Sequence, residues 1–494
     1  MSFLMNNITE TKEKFNNLEE KVWKQKMNEG LIELKYTLKR IDKVLLKNKD
    51  NKKLKVKDLQ KTTIKCRFGN LEIYRRRYVF IKEDGTKEFV YLLDQYLELG
   101  YSGQYSQSIV ELVIKEAIEK SYRKTAESIE RTTNLEITHV AARKIVLDVV
   151  EKKIKPLEDK KVELYNKGII EGTKEQEIIY EESDGIFIAK QDRKNNKLKR
   201  KEKLKKEIKI AVIHEGFEKR NSNDFRIKNK QMVATTGTAG QLKKLVDMTI
   251  GTTYAVHKIK KIIINADGAD WCKTIAESPV ERYQLDMFHI QKRIREAVTD
   301  SYYLKLMSGI VKTDKPEYIF NIIYNYKVEL EEDKNEEELE KVKELEKYLK
   351  NNEEGLLRYQ YELGYNIEEL NQKEETEYRN LGTEESQMFC GCRKRMKKNR
   401  TSWSDTGAEA MVKLISYVKS NTIDELITGE LEKKVENEVK SRFPQPIKIK
   451  KVKLGKIRTA SKNIIIDSLS EFNRLYVKDL LRLKSFGEMR LIGN

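Results

Sequence analysis

Residues 262–290, IIINADGADWCKTIAESPVERYQLDMFHI, constrain the fold of this chain more than any other stretch. The β-branched apolar run at 262–264 predicts a buried strand. It ends in Asn265-Ala266-Asp267-Gly268, so a carboxylate stands at the strand's carboxyl end beside a residue free to turn. Open α/β sheets gather ligands at that edge. A second short strand, 283–285, delivers Asp286 and, three residues on, His289 at the start of a helix. Two acids and an imidazole thereby come to the ends of two neighbouring strands. The plainer reading makes Asp267 and Asp286 helix caps, and it stands beside the functional one.

The polar residues set the choice of partner. Formal net charge is +19 over 494 residues, a surplus that favours a polyanion, either nucleic acid or an anionic membrane. The apolar runs fall far short of a membrane span, and MSFLMNNITETKEK lacks a signal peptide's apolar core. The expectation is a cytoplasmic, nucleoid-associated protein whose partner is nucleic acid, with no membrane. Cys66, Cys272, Cys390 and Cys392 are too few for a disulfide framework in so long a chain. Cys390 and Cys392 also have no second Cys/His pair near them, which argues against zinc.

In chain order, residues 9–47 place Phe15, Leu18 and Val22 at helical spacing among charges, and residues 1–60 read as an amphipathic helical arm. Residues 61–104 form a β-hairpin region, in which two alternating runs flank Gly69-Asn70. Arg75, Arg76 and Arg77 alternate faces there; Arg75 and Arg77 either hold DNA phosphates or belong to an ordinary solvated strand face. Residues 105–155 have the rhythm of a helix-turn-helix: Tyr122, Ala126 and Ile129 share a face, a break follows at 134–137, and Thr138 caps the next helix. That helix buries Ala142, Ile145, Val146 and Val149 and leaves His139, Arg143 and Lys144 outward; with Arg123 these are the candidate contacts to double-stranded DNA. A helical hairpin that only packs is the alternative.

Residues 155–176 read as a linker. Strands at 178–189, from 207, and near 231–236 precede a helix at 241–256 and the stretch described first. The order β-β-β-α-β-α-β-α predicts an α/β core of RNase H-like type over 176–295. An all-α insertion at 296–380, a last core helix at 381–425 and a basic region at 426–494 complete the α/β-plus-α plan. Asp184 and Asp267 each precede glycine on a predicted strand. Two such carboxylates with a later third acid can hold two magnesium ions about 4 Å apart for phosphoryl transfer. Asp-Gly is also a common turn dipeptide, and its place inside apolar strands separates these two from turns. Glu384 and Glu385 are the candidates for the third acid. Arg393, Arg395, Lys397 and Lys398 form a basic helix directly after them, read as phosphate contacts in preference to a solvated face. Trp403 packs in a core or stacks on a displaced base, and His214 and His257 read as structural or exposed.

The segments IYRRRY, SYRKTAE, ESDGIFI, NADGADW, YQLDMFHI, GTEES and RKRMKKNRTSWSDTGAEAMVKL occur in that order. Together they resemble the ISLre-type insertion-sequence transposases of bacteria, a Mutator-like branch of the DDE transposases. The resemblance runs from about residue 10 to 420. It implies an RNase H-like catalytic core with Asp184 as first acid, Asp267 as second and Glu385 as third, with Glu384 one residue away as the alternative. Asp286 and His289 match an acid-x-x-His motif in a supporting role. The resemblance further implies two Mg2+ ions, for which Mn2+ can substitute, DNA of the element's ends and of the target as substrates, and at least a homodimer. Gln387 departs from the family's Asn or His, and residues 425–494 match it poorly. The rival expectations are a metal-dependent nuclease of the same fold and a DNA-binding regulator with an inactive core.

Overall fold

The computed structural model describes residues 15–48, 54–82, 85–97, 105–191, 204–221, 224–273, 278–365, 380–382, 389–397 and 401–442. Helix α1 (Phe15–Asn48) opens the described chain. Its Leu38 and Leu45 pack on the antiparallel pair β1 (Leu54–Cys66) and β2 (Gly69–Ile81), which β3 (Lys87–Val90) extends and α2 (Leu92–Tyr96) closes. Cys66 pairs with Gly69, so the hairpin turns at Arg67-Phe68 and not at the expected Gly69-Asn70. The glycine is there for close approach: at φ +115°, a Cβ on Gly69 would lie 2.9 Å from the Asn134 carbonyl oxygen.

Asn134 belongs to the helical module that follows, α3 (Gln107–Ala117), α4 (Tyr122–Thr132) and α5 (His139–Val149). Ser121 and Thr138 cap α4 and α5 by accepting the Lys124 and Ala141 amides. The expected apolar stripe of Ala142, Ile145, Val146 and Val149 is buried. The turn between α4 and α5 is braced by the hairpin: the Asn134 amide donates to the Arg67 carbonyl (2.9 Å), and its side chain to that of Phe68 (3.1 Å). In place of the expected linker, α5 runs on through a π-helical stretch, Val150–Ile154, into α6 (Lys155–Asn166). Pro156, which has no amide to donate, falls where the hydrogen-bond ladder changes from π-helical to α-helical.

The central sheet is built from β4 (Ile178–Lys190), β5 (Lys205–His214), β8 (Gln231–Thr235), β9 (Lys261–Ala266) and β10 (Glu281–Leu285), in the order β10-β9-β4-β5-β8. The first four steps of the chain miss one element in the sequence reading, the small hairpin β6 (Phe217–Asn221) and β7 (Asp224–Ile227). β10, β9 and β4 run parallel, and β5 and β8 are antiparallel to their neighbours. Helix α7 (Ala239–Thr253) covers one face through Leu242, Val246 and Ile250 against Ile179, Ala211 and Ile213.

After β9 come the short α8 (Asp270–Lys273) and, after β10, α9 (Met287–Ala297). Four helices follow as an all-α layer: α10 (Ser301–Ile310), α11 (Ile319–Glu332), α12 (Glu336–Asn351) and α13 (Tyr359–Glu362). Its core joins the sheet at Leu285. A π-helical segment, Phe389–Lys397, then leads to β11 (Ser402–Trp403), α14 (Asp405–Lys419), α15 (Ile423–Thr428) and α16 (Glu430–Arg442). The buried Met411, Val412 and Ile415 of α14 share one core with Ile186, Ile188 and Ile210 of the sheet and with α3, α4 and α5. The fold is thus mixed α/β around a mixed sheet. Among the described residues, no helix is long and apolar enough to cross a membrane.

The Gly69 contact makes a prediction. Gly69→Ala forces both an unfavourable φ and a clash with backbone, and should lower stability by about 1–3 kcal/mol. Urea unfolding monitored by fluorescence measures the loss.

Candidate active site

Strand register assembles the site. Glu182 of β4 pairs with Asn265 of β9, which pairs with Gln284 of β10. Side chains recur on one face every second residue, so the next positions in that register are Asp184, inside β4, and Asp267 and Asp286, just past the ends of β9 and β10. Asp267 comes close enough for its charge to act on Asp184. Beyond Ser183, β9 no longer pairs with β4; β11 takes up that edge only at Ala189 and Lys190. Asp184 sits at this gap in the ladder.

The rung below is a polar layer that the sequence reading did not single out. Gln284 donates to the Asn265 side-chain oxygen (3.2 Å), and Asn265 donates to Asp286 Oδ2 (3.0 Å). Glu182 Oε1 meets His214 Nε2 at 3.0 Å, and Oε2 accepts the Gly382 amide at 2.9 Å. His214 Nδ1 lies 3.1 Å from the Gly216 amide nitrogen and 3.3 Å from the Gly216 carbonyl oxygen, so the loop at 214–216 fixes the ring with Nε2 facing Glu182. His214 is thus a buried structural residue, while His257 is exposed. Asn265 stands out in an apolar strand, but Glu182 and Gln284 fall level with it only through the strand register.

Asp184 is 4% exposed, and its Oδ2 accepts no hydrogen bond among the described residues. The Arg393 guanidinium stands 3.6 Å from that oxygen. Burial first, and the Asp267 charge second, push the Asp184 carboxyl up to about 6, against the pull of the Gly185 amide, Arg393 and His289. Asp267 Oδ1 accepts the Ala269 amide (3.0 Å) in a tight turn through Gly268 at φ +89°. Asp286 does cap α9, with Oδ1 accepting both the His289 amide and its Nδ1 at 3.0 Å. Burial pulls the His289 pKa down, but the Asp286 hydrogen bond and charge, with Asp267 and Asp184, outweigh it and raise it. The capping and functional readings of Asp286 coexist in one geometry: it caps the helix and fixes the His289 imidazole beside two acids.

A crowded, under-hydrogen-bonded carboxylate pair fits a hard divalent cation, which would neutralise their repulsion and take up the orphaned Oδ2. Among the described residues no group of three His, Cys, Asp or Glu side chains could by itself hold a metal ion. Glu384 and Glu385, the expected third acids, lie outside the described residues, as does Gln387. Their described flanks are at the site: Gly382 on Glu182, and Arg393 beside Asp184.

Residues 8–435 match the uncharacterised protein family UPF0236. The chain belongs to that family. Among its relatives are two UPF0236 proteins of Caldanaerobacter subterraneus subsp. tengcongensis, each 27% identical to it, over 428 and 424 residues. Each alignment covers 84% of this chain and 78% of the relative. The name of the first joins eleven numbered designations of that organism, and that of the second joins four. The family match takes in all three acids and the helix-turn-helix.

Within this UPF0236 chain the basic residues separate into two groups. Arg123 on α4 and His139, Arg143 and Lys144 on α5 are exposed. Arg75 and Arg77, expected on DNA, instead form ion pairs with Asp94 and Asp58, and Arg76 pairs with Asp42. Arg395 is a core residue, 6% exposed, with Nε donating to the Ala117 carbonyl (2.6 Å) and its guanidinium over the Trp403 and Tyr122 rings. The helix is π-helical where an α-helix was expected, which rotates this side chain inward. Trp403 is core as well, its indole donating to the Met396 carbonyl (3.0 Å). Lys397 is exposed, and Lys398 lies outside the described residues.

Two predictions follow from these placements. Folding lifts Asp184 from 3.8 to about 6, so the native state holds the proton more tightly than the unfolded state. Its ionisation therefore weakens folding, negligibly below about pH 4 and fully above about pH 6. In metal-free buffer, Asp184→Asn should stabilise the chain by about 1–3 kcal/mol at pH 8 and by little near pH 4, measured by unfolding at both values. Arg395→Ala should cost about 2–3 kcal/mol of stability through the unsatisfied carbonyl and lost ring contacts. Urea unfolding monitored by tryptophan fluorescence checks the loss.

Proposed function

We propose that this chain is a DDE-type DNA transposase of RNase H-like fold, which binds the ends of its insertion sequence and catalyses DNA strand cleavage and strand transfer. The observation that carries the reading is the carboxylate pair Asp184, buried inside β4 with an oxygen left without a hydrogen bond, and Asp267, half-buried just past the end of the adjacent parallel strand β9. A structural ion pair would not gather like charges, and burying one of them beside the other is costly unless a cation joins them. The strand order supports the fold reading: a first strand antiparallel to the second, a third antiparallel beyond it, then a fourth and fifth parallel to the first. The all-α layer follows the fifth strand, before the segment that holds Glu384 and Glu385, where the resemblance requires an insertion.

In this reading Asp184, Asp267 and Glu385 hold two Mg2+ ions, or Mn2+ in their place. The ions, when bound, activate the attacking oxygen and stabilise the leaving one. Asp286 fixes the His289 ring and favours its protonated form, beside the path of a scissile phosphate. Arg393 offers a second cation to the same phosphate. Arg123, His139, Arg143 and Lys144 present the helix-turn-helix to double-stranded DNA, in keeping with the chain's basic balance. Two element ends must be joined in one event, so the working form is at least a homodimer. A relative whose single protein stands under eleven designations in one organism fits a sequence that spreads copies of itself.

The test is strand cleavage and joining by the purified chain with Mg2+ and DNA carrying its element's ends, run beside Asp267→Ala. Joined products that fall by at least about a thousandfold in the variant are expected. Cleavage without joining would make the protein a nuclease of the same fold. DNA binding with no cleavage in either protein would leave a DNA-binding regulator.

A further inference from the structure

The turn that carries Asp267 is held from outside the sheet. The Tyr348 hydroxyl of α12 donates to the Asp267 carbonyl at 2.9 Å. Lys273, at the far end of the same turn, donates its ammonium to the Asn351 carbonyl at 2.5 Å. Between them, a Cβ on Gly268 would stand 3.0 Å from Asn352 Oδ1, Leu285 Cδ1 and Tyr348 Cε2, so the turn is packed against α12 with no spare room. Asn352 donates to the Tyr348 carbonyl (2.8 Å) and accepts the Tyr283 hydroxyl of β10 (3.1 Å), tying the end of α12 to the neighbouring strand. The Arg293 guanidinium of α9 lies over the Tyr348 ring, 3.9 Å from its centre.

We infer that Tyr348 is a positioning residue and that the end of helix α12 is a clamp on the Asp267 backbone, so that the helical layer sets the geometry of the second acid. A hydroxyl on the carbonyl of a residue fixes that residue's backbone, and the carboxylate two bonds away inherits the restraint. Carboxylates that share a divalent cation need placement within about 0.5 Å. β9 ends at Ala266, so ladder hydrogen bonds do not reach Asp267, and the restraint must come from elsewhere. The clamp stands on contacts alone; its bearing on catalysis rests on the transposase reading.

The experiment uses the full chain, Tyr348→Phe, and Tyr326→Phe as a matched control. Tyr326 sits in the same helical layer, and its hydroxyl donates to Glu338 at 2.5 Å, far from the turn in the hydrogen-bond network. Two readouts need no activity: amide hydrogen exchange over 267–273, and Mn2+ affinity by titration. One lost hydrogen bond corresponds to about fivefold. Tyr348→Phe should therefore speed exchange of the turn by about fivefold and weaken Mn2+ binding by at least as much, with Tyr326→Phe changing neither. Exchange and affinity unchanged in Tyr348→Phe, or changed equally in the control, would overturn the inference. Faster exchange in a protein that binds no Mn2+ even as wild type would uphold the clamp and sink the metal-centre reading instead.

Discussion

The parallel register of β4, β9 and β10 is the constraint on which the rest of this molecule depends. It is set residue by residue through Ile179, Ile263 and Leu285, whose burial admits no slip. A slip of one residue would send every apolar side chain to the wrong face. Because that register is fixed, acids separated by about a hundred residues in sequence arrive at one site. The layers above and below then serve it: α7 seals one face of the sheet, α14 and the helix-turn-helix module seal the other. The all-α layer closes the end at which the acids emerge.

Strand β4 buries three carboxylates in four residues, Glu181, Glu182 and Asp184, and treats each differently. Glu182 is compensated by His214 and the Gly382 amide. Glu181 accepts the Ser183 hydroxyl (2.7 Å), and burial pushes it up to about 7, near neutrality. Asp184 faces Asp267 and, like Glu181, keeps one oxygen without a hydrogen-bond partner. Evolved interiors rarely leave such a group unless it has work to do. What sets Asp184 apart is its place beside Asp267, His289 and Arg393.

Much of this was legible in the sequence, and the failures have physical causes. Asp267 and Asp286 could be placed because strand ends announce themselves in apolar runs that stop at Asp-Gly or at a helix cap, and Asp184 because it stands before a glycine inside a strand. The caps at Thr138 and Asp286 follow local rules and emerged where expected. Arg75, Arg77 and Arg395 were misread because charge says nothing about partners distant in sequence. Asp94 and Asp58 neutralise the first two, and Ala117, brought near by the fold, receives the third. The π-helical turn that rotates Arg395 inward has no composition signal. The polar rung of Glu182, Asn265 and Gln284 could be seen only once the strands were put in register.

The hairpin tip that braces Asn134 has a consequence for how such proteins diverge. The backbone of residues 67–69 holds the turn between α4 and α5 by two hydrogen bonds and a contact only glycine permits. Helices α3 to α5 are therefore not a separable cassette. The same helices grafted from a relative at 105–155 would arrive on a foreign hairpin and lose their brace. The heritable unit is the hairpin and helices together, so exchange between family members should favour crossovers upstream of β1. Exposed α5 positions such as Arg143 and Lys144 would instead drift by substitution.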